Sequence, residues 1–236
     1  MNKEKIINCL KSNVKKFNRW RLLYGITELN LENANLNNAN LYNANLDNAS
    51  LENANLDNAN LNYANLNNAN LNYANLYNAR LYNANLNNAN LNKANLNYAS
   101  LYKANLNYAN LNNANLNYAN LENANLYKAS LENANLNYAR LENANLYNAN
   151  LDNAMLERIT GKLILSVNGI GSRTSTTIYN YTDDQIQCGC FFGSFQHWLK
   201  KIKKTYTRYN RHYQEYKRAA CYLFWQARYM ASMEAV

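Results

Sequence analysis

The central part of this sequence predicts an all-β solenoid, and two observations carry the prediction. Every fifth residue from Leu31 to Leu156 is Leu, and an Ala stands two places before each Leu from Leu36 onward, running from Ala34 to Ala154. The other three positions of the five-residue word vary and are mostly Asn. A period of five fits neither standard element. On an α-helix, successive Leu residues would rotate by about 140° and spiral around the whole surface. On a straight strand, alternate Leu residues would fall on opposite faces. The pattern works if the chain bends once per word, so that Ala-x-Leu is a short strand with its first and third side chains inward and the next two residues form a corner. Coils built this way pair their backbones with the coils above and below.

The corner and intervening positions carry Asn, Asp, Ser, Tyr, Lys and Glu. Asn in particular tolerates turn dihedrals and bonds nearby backbone. No Gly occurs between Gly25 and Gly161, and the chain has no Pro, which predicts a corner that does not require a residue lacking Cβ.

Words of the form A(N/D)LXX in tandem resemble the pentapeptide-repeat family. The resemblance covers about 130 of the 236 residues and implies a right-handed quadrilateral β-helix. The Tyr residues agree with four words per coil. Tyr82 and Tyr102, Tyr127 and Tyr147, and the series Tyr98, Tyr118, Tyr138 recur at a separation of 20, and no Tyr within the repeats lies 15 from another. A separation of 25 also recurs three times, so the Tyr pattern supports four sides without fixing them.

The chain therefore divides into an amphipathic helical cap over residues 1–26, the β-helix over residues 27–158, and a small α+β capping or interaction module over residues 159–236. In the first segment Ile6, Leu10, Val14 and Phe17 form one apolar stripe on a helix whose other faces carry Lys3, Lys5, Lys11, Lys15 and Lys16. An open solenoid end exposes unpaired backbone and core Leu, which such a helix covers. A basic amphipathic helix also suits a membrane surface, but Phe17, Trp20, Leu22 and Leu23 lead directly into the first coil. The cap is the preferred reading, with no membrane partner. In the last segment KLILSVNGIGS, STTIYNY and QIQCGCFFG read as strands of a small sheet. Ser194 then caps a helical pattern. This tail also resembles a C-terminal module of bacterial and phage pentapeptide-repeat proteins, through Gly171-Ser172-Arg173, the stretch Cys188-Gly189-Cys190-Phe191-Phe192-Gly193, and Glu215-Tyr216. It departs at residues 205–210, where a Gly-containing break is expected, and leaves open whether one helix or two follow.

Charge is distributed unevenly. The net +9 conceals nine acids against six bases in residues 29–158, while residues 1–28 hold seven bases and two acids and residues 159–236 hold eleven and four. Some pentapeptide-repeat proteins mimic duplex DNA toward type II topoisomerases, which the resemblance makes an alternative here; a coil at about −3 lacks the required electrostatic footprint. The basic tail, with Lys200, Lys201, Lys203 and Lys204 among Tyr residues, makes nucleic acid a further alternative partner.

No constellation for catalysis stands out. His197 and His212 have no acid or nucleophile at suggestive spacing, Cys188 and Cys190 offer two thiolates where a closed zinc site needs four ligands, and Gly169 to Arg173 reads as a turn between strands. No catalytic residue, cofactor or metal is expected. Four scattered Cys, no signal-peptide run and no transmembrane stretch predict a cytoplasmic protein. The expected function is that of a noncatalytic structural or interaction protein with a protein as its partner, and the candidate interaction strip is Tyr98, Tyr118 and Tyr138, on which Tyr supplies apolar area together with a hydroxyl.

Overall fold

The computed structural model describes residues 2–161, 164–167, 177–180, 185–188, 191–205, 214, 216, 217, 219 and 220. The chain forms two compact units, Met1–Ala149 with Ala154–Gly161 and Asn150–Asn153 with Lys162–Val236.

The first unit holds helices α1 (Lys3–Ser12) and α2 (Val14–Leu23) followed by the coil. Strands β1 (Leu29–Asn30) and β2 (Ala49–Ser50) pair in parallel, Leu29 with Ala49 and Asn30 with Ser50. The same pairing recurs as single bridges from Asn35 with Asn55 to Arg140 with Thr160. Each partner lies 20 residues away, so four words close one coil. Three backbone bonds per word join successive coils: Leu56 N–H donates to Asn75 O at 2.7 Å, Asn58 N–H to Tyr77 O at 2.9 Å, and Asn75 N–H to Ala54 O at 2.9 Å. A fourth, from Ala59 N–H to Leu56 O at 3.0 Å, closes the corner.

Every Leu from Leu31 to Leu151 is at most 4 % exposed, and every Ala from Ala34 to Ala149 at most 6 %. Each buried Leu contributes about 1.5–3 kcal/mol. The small Ala beside it lets the coil close tightly.

The strand's middle residue points outward, and its identity as Asn has two uses. Asn65 Oδ1 accepts from Asn67 N–H at 3.2 Å, which fixes the entry to the corner. Asn85 Nδ2 then donates to Asn65 Oδ1 at 3.1 Å, one coil away. Where the middle slot holds Arg80, Ser130 or Met155, the corner N–H finds an Asn on the preceding coil instead. Tyr82 N–H donates to Asn62 Oδ1 at 2.9 Å, Glu132 N–H to Asn112 Oδ1 at 3.0 Å, and Glu157 N–H to Asn137 Oδ1 at 2.8 Å.

The corner uses no residue that lacks Cβ, as expected, yet its backbone is demanding. Its second residue is left-handed in every word, from Asn33 at φ 56° to Arg158 at φ 54°. That region costs a residue bearing Cβ roughly 1–2 kcal/mol, so the absence of Gly does not mean an undemanding corner. Asn, whose short side chain eases this conformation, fills 16 of the 26 such positions.

The amino-terminal stripe is carried by two helices. Asn13 is extended, its side chain accepts from Lys16 N–H at 2.9 Å to start α2, and its own N–H donates to Cys9 O at 2.9 Å to end α1. Leu10 and Phe17 are fully buried, while Ile6 and Val14 are half-buried. The first coil has no coil before it, so its outward carbonyls lack the N–H donors that later coils receive. Side chains from the helices supply them. Lys11 Nζ donates to Asn35 O at 3.1 Å and Lys3 Nζ to Glu32 O, and Asn18 Nδ2 adds a bond to the corner carbonyl of Asn43 at 2.8 Å. Arg21, only 4 % exposed, donates to Asn45 O at 2.7 Å and Asp47 O at 3.0 Å, and also to the carbonyls of Ile26 and Thr27. Burial lowers its pKa, with the Asp47 charge acting the other way.

The second unit contains β3 (Ile164–Val167), β4 (Thr177–Asn180), β5 (Gln185–Cys188) and β6 (Phe191–Gly193) in an antiparallel meander in chain order. The stretch QIQCGCFFG holds two of these strands, because Cys188 pairs with Phe191. Helix α3 (Phe195–Thr205) begins with Ser194 Oγ accepting from His197 N–H at 3.3 Å, and it buries Phe195, Trp198 and Ile202. Residues 206–213, where one helix or two was left open, lie outside the described residues.

Candidate interaction surface

Each corner offers two outward side chains per coil, and residues 20 apart sit one rung apart at the strand spacing of about 4.8 Å. Tyr98, Tyr118 and Tyr138 occupy the same slot on three successive coils. The rings of Tyr98 and Tyr118 stack at 4.9 Å and 3°, and those of Tyr118 and Tyr138 at 4.6 Å and 12°. Tyr77, in the other slot of that corner, meets Tyr98 edge-on at 5.8 Å and 74°. At the far end the Arg158 guanidinium lies 5.6 Å from the Tyr138 ring centre, a cation–π contact. Tyr98 and Tyr118 remain 48 % and 43 % exposed.

All three stacked Tyr residues sit on left-handed backbone, at φ 59°, 57° and 59°. Asn would meet that conformation at lower cost. Ring stacking returns about 0.5–1.5 kcal/mol per pair, of the same order as the backbone penalty. The corner backbone therefore does not account for the rings.

Two further corners carry aromatic ladders. One runs from Tyr42 to Tyr63 at 5.4 Å, to Tyr82 at 5.1 Å and to Tyr102 at 5.7 Å. The other runs from Tyr108 to Tyr127 at 5.6 Å and to Tyr147 at 6.0 Å. Lysines accompany them, with Lys103 Nζ 5.3 Å from the Tyr102 ring centre and Lys128 Nζ 5.5 Å and 5.2 Å from those of Tyr108 and Tyr127. Hydrogen bonding to Tyr127, then the nearby Tyr108 and Tyr127 charges, raise the Lys128 pKa. Hydrogen bonding to Tyr82 raises that of Tyr63.

A search at a separation of 20 finds only the stacked pairs. The edge-on partners lie at 19 or 21, as Tyr63 with Tyr82 and Tyr77 with Tyr98, because the two slots of one corner adjoin. Searching those separations would have added Tyr77 to the strip.

The acids lie within the ladders of rungs. Arg140 bridges Glu122 and Glu142, with Thr160 Oγ1 donating to Glu142 Oε1 at 2.8 Å. Ser50 Oγ donates to Glu32 Oε1 at 2.9 Å. His197 is exposed on α3. Cys188 ends β5, whereas Cys190, His212 and residues 169–173 lie outside the described residues. Among the described residues no three His, Cys, Asp or Glu side chains gather as a metal site, and no helix is long and apolar enough to cross a membrane.

Fold and surface together define a class: a four-sided β-solenoid with Asn-rich outer slots and aromatic ladders at its corners. The family described as pentapeptide repeats (8 copies) matches residues 27–62, 49–88, 59–97, 94–133 and 124–160, more than half of the chain. The chain belongs to the pentapeptide-repeat family, and its coil is the right-handed β-helix of that family. Among solved structures it is similar to HetL, a pentapeptide repeat protein involved in heterocyst differentiation regulation from the cyanobacterium Nostoc sp. strain PCC 7120, at 28 % identity over 61 % of this chain and 90 % of that one, with a TM-score of 0.24. It is similar to the pentapeptide repeat protein Rfr23 from the cyanobacterium Cyanothece 51142 at 30 % identity over 61 % and 93 %, with a TM-score of 0.32. The plasmid-mediated fluoroquinolone resistance protein QnrB1 matches at 16 % identity over 56 % and 80 %, with a TM-score of 0.37. No curated protein gives a significant match.

Proposed function

We propose that this chain is a noncatalytic interaction protein whose rigid β-helix presents side chains in fixed rows, and that its binding strip for a protein partner is Tyr98, Tyr118 and Tyr138, extended by Tyr77 and Arg158. One observation carries the proposal: rings stack on three successive rungs, Tyr98 and Tyr118 exposed and Tyr138 half-buried, at backbone positions that favour Asn. The rungs supply preorganisation, since the strip loses little conformational freedom on binding. Tyr adds apolar area with a hydroxyl handle, a combination enriched at interfaces. The helical segment 1–26 serves as the cap of the coil's open edge, and the module 159–236 is a separate α+β element.

A DNA-mimicking role fits poorly. Nine acids against six bases give the coil too little negative charge, and the Glu122 carboxylate is already paired with Arg140.

The test replaces Tyr118 with Asn. Because Asn suits left-handed backbone, Tyr118→Asn is expected to leave the thermal midpoint within a few degrees of the parent while weakening capture of the partner from host extract at least tenfold. Equal capture by parent and variant would refute the strip. Loss of stability without loss of capture would reduce the rings to packing. Binding that follows the basic tail and added DNA would favour nucleic acid instead.

A further inference from the structure

The two amino-terminal helices leave a second surface unused by the coil. On α2 the core side is taken by Phe17 and Arg21, both buried. At about 100° per residue, Lys15, Arg19 and Leu22 share the opposite side, and Lys16 and Leu23 flank it. All five are exposed. Leu22 is 82 % exposed, Leu23 66 % and Tyr24 72 %, three consecutive apolar residues at the end of the helix. A groove of about 670 Å³ is lined by Lys5, Asn8, Cys9, Lys11 and Ser12 of α1 and by Lys16 near the start of α2. Lys16 belongs to both features: it lines the groove and lies two helical turns from Leu23 on one side of α2.

We propose that this outer face of α1 and α2 docks on an anionic lipid surface. The charge is complementary, because residues 1–28 hold seven bases and two acids. Lys5 and Lys16, with Asn8 and Ser12 as neutral donors, receive headgroup phosphates in the groove. Lys15 and Arg19 lie over the headgroup layer, where each cation near an anionic surface adds to attraction that falls off within a Debye length. Leu22 and Leu23 enter the acyl boundary, and Tyr24 takes the interfacial level favoured by aromatic rings. A nucleic-acid partner would use the cations but would leave two leucines in water. The face thus combines charge with an apolar edge, as interfacial helices do. Arg21, Lys3 and Lys11 donate to first-coil carbonyls, so the coil stays attached while the outer side docks. Sequence favours the cap with no membrane partner; this proposal departs from that expectation, with the helices capping the coil on one side and docking on the other.

The test uses the full chain and sedimentation with vesicles of phosphatidylcholine, with or without phosphatidylserine. Binding is expected only to the phosphatidylserine vesicles and is expected to fall at least tenfold in high salt. Leu22→Ser with Leu23→Ser is expected to lower it about tenfold without moving the thermal midpoint, since both side chains are exposed. Lys5→Glu with Lys16→Glu is expected to abolish it, whereas Lys200→Glu with Lys201→Glu on α3 leaves it unchanged. The proposal is overturned by no binding to phosphatidylserine vesicles, by equal binding to pure phosphatidylcholine, or by full binding of the Leu22/Leu23 variant. Loss through the Lys200/Lys201 variant alone would overturn it too. So would tighter binding to duplex DNA that depends on Lys5 and Lys16 but not on Leu22 and Leu23, which would assign the charge to nucleic acid.

Discussion

Leu96 and Asn113 represent the two kinds of position in the word, one buried in the coil and one at a corner. Leu96 is 1 % exposed, and Leu96→Asp would place a charge where no partner exists, at a cost of about 4 kcal/mol or more. Asn113→Asp, at an exposed corner, is expected to stay within about 0.5 kcal/mol, and thermal unfolding of the two variants distinguishes them. An intermediate case is Asn65→Ala, which removes the acceptor of the Asn67 N–H and of Asn85 Nδ2; about 1–2 kcal/mol is expected from two net hydrogen bonds, measured by denaturant unfolding. The inward Leu and Ala were legible in sequence because burial imposes a strict period. The left-handed corners were not, because Asn serves both ordinary and left-handed turns and so conceals the dihedral. Arg21 was hidden for another reason. Nothing in the words Arg19-Trp20-Arg21 separates a solvated cation from one that satisfies the first coil's carbonyls.

At the scale of the element, the amino-terminal helices illustrate how a periodic stripe fixes burial without fixing continuity. The spacing of Ile6, Leu10, Val14 and Phe17 identified the face, but the break at Asn13 comes from one side chain competing as a cap. Arg21→Met is expected to keep the helix and lose the four carbonyls' donor, costing about 3 kcal/mol. Hydrogen exchange would then rise first around Asn45 and Asp47, and a uniform rise along the coil would contradict this local role. Removing residues 1–26 from the full chain is expected to expose the first coil's edge and promote association; a monomer of unchanged thermal midpoint, seen by sedimentation, would deny the helices a capping role. The strand content after residue 158 was legible from β-branched and aromatic runs. The count of strands was not, since Gly189 and Cys190 gave no strong turn signal between Cys188 and Phe191.

For the molecule as a whole, the four-sided coil makes binding and stability separable. Damage in a solenoid stays with neighbouring rungs, so a surface change at one corner leaves the others standing. The ladder of rings was legible in part: the separation of 20 identified Tyr98, Tyr118 and Tyr138, while Tyr77 joins from the adjoining slot at a separation of 21. The central claim is that this corner meets a protein partner. Its most direct measurement places a photo-crosslinking phenylalanine analogue at residue 118, or at residue 113 on the neighbouring corner of the same coil, in the full chain within the native host. A discrete crosslinked protein adduct from position 118, absent from position 113, is the predicted result. Adducts of equal yield from both positions, or none from 118 while the chain remains folded, would contradict the account.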